Sequence, residues 1–586
     1  MKKFIYIILS SLLTTACVDT ALLPDDKTVD EDFWKTKSDV ALMVNGAYAQ
    51  MLNESLIKNL IVWGDFRSDE LVQTSSILGG TEYEALRQIV TANIETTNKY
   101  TNWQPLYAVI NYCNIVIMKA ADVMQVDPSY TQGDYLNDIA QMKTLRALCY
   151  FYLVRNFRDV PFITTGYMAN SQEMNVPQTA PEDILNACIA DLQEAANNIA
   201  DPTAYSDWKA KGMLNRDAVY ALLADIYLWK ASVHHNDGSY STNADYQQCI
   251  NYCDLVINSK NNAHRYGPME VIDETNAFPA LAKYINDYDD IFISQNAEES
   301  IYELQFDGPN NTNSGVCTML YKYSNNSSKY GYLKAPKMFG KGGTDNVVFP
   351  QQYDGRKIKF IFNCNGDELE QYDIRKMIVD NTPFSYGAPS GEGQKRQEGR
   401  QFNQFAQNYV IYRMTDVMLM KAEAMCQLAA GDDDILLRQA FNIVKAVNDR
   451  AHQEGLMSDS LRFATTKSIL GNNINTKLGF EELVLEERLR ELCFEGKRWY
   501  DLLRYNYRHA DGVNYSTILA DQATQTANYR QMLTLMARKM ETPDGLISKM
   551  PTEPYLYMPI MESEINVNPE LKQNPVYSSS DKWEKN

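Results

Sequence analysis

From Asp39 to about Ser259 the chain alternates amphipathic stretches with short polar breaks, and stacked helix pairs are the arrangement that satisfies this pattern. Each stretch carries a single apolar stripe, which must be buried against a neighbour. In residues 137–157, Ile139, Met142, Leu145, Leu148, Tyr152 and Phe157 recur near helical spacing, and Asp159-Val160-Pro161 ends the run because proline excludes a continuing helix. A partner helix is expected over 181–199, with Ile184, Ile189 and Leu192 inward. A second pair begins at Asn215, an N-cap residue type, runs through Val219, Leu222, Leu223, Ile226 and Tyr227 to Trp229, and closes with residues 246–257. A third spans 412–429, turns at Gly431-Asp432-Asp433 and returns from 435 to about 451.

The large-small-large rhythm of Ala221-Leu222-Leu223-Ala224-Asp225-Ile226-Tyr227 resembles tetratricopeptide (TPR) repeats in pattern rather than strict period. A chain of 586 residues, 45% hydrophobic and 22% charged, can bury a large core around such pairs. With 75 acidic against 55 basic residues it would repel phosphate backbones, and no basic patch interleaved with aromatics offsets this, so nucleic-acid binding is set aside. Ten cysteines do not form a disulfide framework. Cys113, Cys149, Cys188 and Cys426 read as small buried hydrophobes, and Cys249 and Cys253 lack CxxC spacing. Neither a metal site nor a cofactor is expected.

At the N-terminus, Lys2 and Lys3 precede the apolar run 4–13 and then Thr14-Thr15-Ala16-Cys17. The run is shorter than the roughly 20 residues that cross a bilayer, and it has the charged start, apolar centre and small-residue end of a signal peptide. The Ala16-Cys17 junction resembles a bacterial lipobox, with Thr14 where an aliphatic residue is usual. Residues 1–16 are expected to be the leader, Cys17 the lipid anchor and 17–36 an extended tether. No later stretch is expected to span a membrane.

Between 261 and 405 the texture changes to Gly, Asn, Tyr and Pro, with one strand expected at 300–306, where Tyr302, Leu304 and Phe306 alternate with polar residues. Residues 406–510 return to helices and 511–586 to loops. The segment 480–504 carries Leu485, Leu489, Leu492, Gly496, Trp499 and Leu503 as one helical stripe. Gly496 costs about 1 kcal/mol against Ala in a helix interior and therefore points to close approach of another backbone or a large ring.

As a string, Glu487-Arg488-Leu489-Arg490-Glu491-Leu492-Cys493-Phe494-Glu495-Gly496-Lys497-Arg498-Trp499-Tyr500-Asp501-Leu502-Leu503-Arg504 resembles the signature helix of the SusD/RagB family of Bacteroidetes outer-membrane lipoproteins. Similar segments follow in order along nearly the whole chain: Asp32-Phe33-Trp34-Lys35 with Asn45-Gly46-Ala47-Tyr48, residues 103–114, Leu145-Arg146-Ala147, Tyr412-Arg413, and Pro559 through Asn574-Pro575. The charged residues Glu487, Arg490, Glu491 and Arg498 are read as ion pairs and caps rather than catalysts. The resemblance implies a mainly α fold: a TPR-like scaffold of four helix pairs, a loop-rich face and a few short strands, forming one domain over 37–586 with its N-terminal helical part at 37–260. It also implies a lipid-anchored protein at the cell surface that captures a nutrient, typically an oligosaccharide, and passes it to a TonB-dependent SusC-like transporter contacted by the TPR-like side.

Catalysis has no positive sequence feature. HExxH, GxSxG and Walker A patterns are absent, and Asp287-Tyr288-Asp289-Asp290 lacks an EF-hand pattern. The alternatives are a surface glycoside hydrolase and a periplasmic TPR adaptor. Sugar rings stack their CH faces on Trp or Tyr while amides, carboxylates and Arg take their hydroxyls. Two regions match that chemistry: Trp63, Asp65, Arg67 and Tyr83, and Tyr321, Tyr323, Tyr330 and Tyr332 among Asn325, Asn326, Ser327 and Ser328.

Overall fold

The computed structural model describes residues 33–509, 539 and 553–578, apart from 75–78, 169–174, 263–269, 274–275, 279–286, 309, 322–330, 341–347, 352–353, 362–370, 378–405, 453–459 and 470. The leader, Cys17 and most of the tether lie outside the described residues.

Helices dominate. Those of eight or more residues are α1 (Lys37–Gln50), α2 (Glu54–Ile61), α3 (Thr81–Val90), α4 (Gln104–Val126), α5 (Gln132–Phe157), α6 (Pro181–Asn198), α7 (Arg216–Val233), α8 (Thr242–Asn262), α9 (Met414–Leu428), α10 (Ile435–Arg450), α11 (Lys477–Leu492) and α12 (Arg498–His509). Local chemistry explains several starts. Thr36 and Asp39 form a capping box on α1, as do Thr131 and Asp134 on α5, and Asn215 Oδ1 accepts the Ala218 N–H at 3.2 Å to open α7. Helix α1 packs on α4, α5 on α6, α7 on α8 and α9 on α10, with α4 against α5, α6 against α7 and α8 against α9. These contacts make one continuous stack of four pairs, the TPR-like scaffold expected from the sequence. Cys113, Cys149, Cys188 and Cys426 are buried in it, as are Cys249 and Cys253.

One sequence expectation holds on packing rather than on composition, and three are corrected. By length and composition α4 belongs to a stretch, Lys99–Val126, apolar enough to cross a membrane. Half of its most apolar 18-residue window is buried within the protein, and α4 packs on α1 and α5, so its hydrophobicity is that of a core helix. Tyr412 is not helical but belongs to strand β9 (Tyr409–Arg413), which pairs antiparallel with β6 (Ser300–Leu304). Every residue of both strands is buried, which removes the polar alternation expected for 300–306.

The third concerns 480–504, which is not a single helix. Helix α11 stops at Leu492, Phe494 and Gly496 take positive φ (67° and 75°), and α12 restarts at Arg498. The left-handed backbone turns the chain where a continuous stripe was expected. The charged residues here do form ion pairs. Glu487 accepts from Arg356 at 2.6 Å and Arg490 at 2.8 Å, while Arg498 grips Asp69 at 2.7 and 2.9 Å. Glu491 accepts from Arg413 at 2.8 Å, Arg356 at 3.0 Å, Tyr288 at 2.7 Å, and Arg450. All of these groups are buried, so the charges are desolvated and fix helices α10 and α11 to the residues around Arg356.

The remaining strands are short. Strand β1 (Val72–Gln73) pairs antiparallel with β7 (Leu333–Pro336), and β7 with β8 (Gln371–Tyr372). Strand β2 (Val160–Pro161) pairs with β3 (Gln178–Thr179), and β4 (Glu270–Asp273) with β5 (Asn276–Phe278).

Candidate functional site: a tyrosine-lined surface at the two ends of α3

Helix α2 runs into a π-helical turn, Val62–Phe66, which rolls the next residues inward. Trp63 is fully buried, donating Nε1–H to the Tyr100 carbonyl at 2.7 Å and meeting Phe157 edge to face. Asp65 is fully buried and accepts the Gly496 N–H at 2.7 Å. Arg67 lies over the Trp499 ring at 4.2 Å and donates to the Leu556 carbonyl at 2.7 Å. Tyr321 is buried as well, its hydroxyl donating to the Lys376 carbonyl. None of these four side chains can touch a ligand from solvent. Asp65 and Arg67 instead pack the residues around the π turn on the segment 494–499, while Trp63 and Tyr321 serve the core around Phe157 and Lys376. Tyr323 and Tyr330 lie outside the described residues.

Tyr83 and Tyr332 are half-buried, and the structure brings their surroundings together. In the β1–β7 ladder Gln73 faces Leu333. The Thr74 N–H donates to the Tyr332 carbonyl at 2.8 Å, and Gln73 Nε2 donates to the Tyr83 carbonyl at 2.9 Å. The two regions picked from sequence thus meet across one strand pair. Beneath them Tyr100 donates to Glu82, which also pairs with the half-exposed Lys99. Burial, and then the Glu82 carboxylate, hold the Tyr100 phenol well above its ordinary pKa, so it stays a donor.

At the other end of α3, about 15 Å along the helix axis, a cleft of about 540 Å³ is lined by residues 92–97, Tyr555 and residues 576–578. Tyr555 and Tyr577 meet edge to face at 5.8 Å, and the opposite wall offers Asn93, Glu95, Thr96 and Thr97. The Glu562 N–H holds the Thr96 carbonyl at 2.9 Å, fastening this wall to the C-terminal segment. Ring faces beside amide, carboxylate and hydroxyl groups are the chemistry a polar, flat-faced ligand needs. Sequence inspection missed this cleft. Its only signal is a tyrosine just after a proline in irregular sequence, Pro554-Tyr555 and Pro575-Val576-Tyr577. Among the described residues no three His, Cys, Asp or Glu side chains gather as a metal site.

Comparison with known proteins sets this surface in context. A family model described as the SusD family matches residues 318–577, and one described as starch-binding, associating with outer membrane, matches residues 23–228. The chain belongs to the SusD-like family. The SusD-like protein P38 of Formosa agariphila is 24% identical over 534 residues, covering 86% of this chain and 92% of that protein. Among solved structures, a SusD homolog from Bacteroides thetaiotaomicron superposes with a TM-score of 0.67 at 16% identity, covering 94% of this chain and 98% of that one. NanU of B. fragilis superposes with a TM-score of 0.64 at 18% identity, covering 95% and 100%. These solved structures share the fold of this chain.

Proposed function

We propose that the chain is a non-catalytic binding protein of the bacterial cell surface that captures an oligosaccharide on the tyrosine-lined surface around α3 and hands it to a TonB-dependent SusC-like transporter. The observation that carries this reading is the convergence of Tyr83 with Tyr332 across β1–β7 at one end of α3, and of Tyr555 with Tyr577 at the other. Two pairs of aromatic rings at the two ends of a helix about 15 Å long suit a ligand longer than one sugar ring. Membership in a family whose model over residues 23–228 is described as starch-binding and outer-membrane-associated supports both the ligand class and the location.

Cys17 carries the lipid in this account, residues 17–36 are the tether, and the four-pair stack is the face offered to the transporter. Several acyl chains make such an anchor durable where one would be marginal. The test uses intact cells carrying the chain and a fluorescent oligosaccharide. Wild-type cells retain the label at their surface, and cells expressing Cys17→Ala shed both protein and label into the medium. Equal retention of protein and label by the Cys17→Ala cells would contradict the anchored-capture reading.

A further inference from the structure

A second cleft, of about 400 Å³, lies where the C-terminal end of α5 meets the last described segment. Its apolar walls are Phe157, Pro554, Tyr557, Ile560 and Pro575. Its charged groups are Arg158 and Lys572 against Asp159 and Glu553.

Arg158 has φ 67° and ψ −88°, a region that costs a non-glycine residue about 1–3 kcal/mol. Glycine would close α5 here without that cost. What arginine adds at a strained position is its side chain, and that side chain is underused. Its nearest ion-pair oxygen is on Asp159 at 3.7 Å, beyond hydrogen-bond reach, and among the described residues the guanidinium makes no hydrogen bond. The half-exposed guanidinium therefore keeps its planar fork of N–H donors. The acids around it make no hydrogen bond to that fork: Glu553, its strongest charge partner, accepts instead from the Tyr507 hydroxyl at 3.1 Å, and Tyr507 also meets the Tyr557 hydroxyl at 2.5 Å. On the opposite wall Asn574 donates to the Pro554 carbonyl at 2.8 Å.

From this we infer that the cleft binds a small organic acid whose carboxylate sits in the Arg158 fork. Sugar acids and amino acids share that chemistry, and a cavity of this volume suits either. The site is separate from the α3 surface and does not depend on the function proposed for it.

The test is calorimetric titration of the full chain with glucuronate in one arm and leucine in the other, with leucinamide and glucose as controls that lack the carboxylate. The expected result is saturable millimolar binding in at least one acid arm, absent for both controls, and weakened about tenfold or more by Arg158→Gly, because a charge-assisted fork is worth about 1.5–3 kcal/mol. Arg158→Gly keeps or raises the melting temperature, since it relieves the left-handed strain, so loss of binding will not reflect unfolding. Failure of both acids to bind, or unchanged binding in Arg158→Gly, would overturn the assignment. Oligosaccharide capture at the α3 surface is unaffected by Arg158→Gly, which separates failure of this inference from failure of that one.

Discussion

Gly64 packs backbone to backbone against Gly496. A methyl group built on Gly64 would lie 2.2 Å from the Gly496 carbonyl oxygen and 2.6 Å from its Cα. One built on Gly496, which has φ 75°, would lie 2.6 Å from the Tyr409 hydroxyl. This contact holds the π turn of residues 62–66 onto the break between α11 and α12, and through it Trp63, Asp65 and Arg67 are drawn into the core. Gly64→Ala is expected to cost about 1–3 kcal/mol or more through overpacking. Gly496→Ala is expected to add about 1–2 kcal/mol of left-handed strain to its own clash. Equilibrium denaturation reads both variants, and a neutral Gly64→Ala would mean the backbones do not touch.

Glu491 is the hub of the buried charge network, accepting from Arg356, Arg413 and Arg450. Burial opposes its ionised form, but the three guanidinium groups outweigh burial and hold its carboxyl far below the usual range. Glu491→Gln leaves those cations under-compensated in a desolvated site and is expected to cost about 3–5 kcal/mol. Glu84, paired with Arg87 on the surface of α3, provides the contrast: Glu84→Gln leaves the denaturation midpoint unchanged.

Asp65 and Glu70 form a buried acid pair whose pH dependence has the opposite sign to that of the network. Asp65 Oδ1 accepts from Gly496 and Glu70 Oε1 from Phe494, while the two remaining oxygens have no other partner among the described residues, so the two acids are expected to share one proton. Burial raises Asp65 to about 7 and, with the Asp65 charge, raises Glu70 well above its ordinary value. Glu495 adds to the rise at Asp65 and Lys376 opposes it, and Lys539 and Asp69 lie close by. The folded pair therefore holds protons that the unfolded chain releases near pH 4. Its contribution to stability is full below that pH and is lost as pH rises through about 7. By contrast, at Asp416 and Glu481 burial is outweighed by neighbouring cations and both fall to about 2, so their contribution is present at neutral pH and lost in acid. Asp65→Asn keeps an acceptor for Gly496 and can donate to Glu70. In thermal melts, wild type should lose stability between about pH 5 and pH 8 relative to Asp65→Asn, and parallel curves would contradict the shared proton.

Much of the scaffold was legible in the sequence because its signals are local. Asn215 caps the helix it was expected to cap, α10 begins at Ile435 after the Gly431 turn, and α5 ends before Val160-Pro161, since caps, turns and periodicity act within a few residues. The ion pairs of Glu487, Glu491 and Arg498 were legible for the related reason that charges on a packed helix need partners. The site was only half legible. Strand β1 has two residues, too few for a period, and its partner β7 lies some 260 residues away, so nothing near Tyr83 announces Tyr332. Trp63, Asp65 and Arg67 have the composition of a wet binding loop, and contacts far along the chain bury them: Phe157 for Trp63, Gly496 for Asp65 and Trp499 for Arg67.

The central claim is that oligosaccharide binds at the tyrosine pairs and is not altered there. Calorimetric titration of the purified chain with a panel of oligosaccharides tests it most directly, comparing wild type with Tyr332→Ala and Tyr555→Ala and assaying reducing ends after each titration. The account predicts saturable binding of at least one oligosaccharide, weakened about three- to tenfold by either substitution because each removes one ring contact, with no new reducing ends. Release of reducing ends, or affinity untouched by both substitutions, would contradict it.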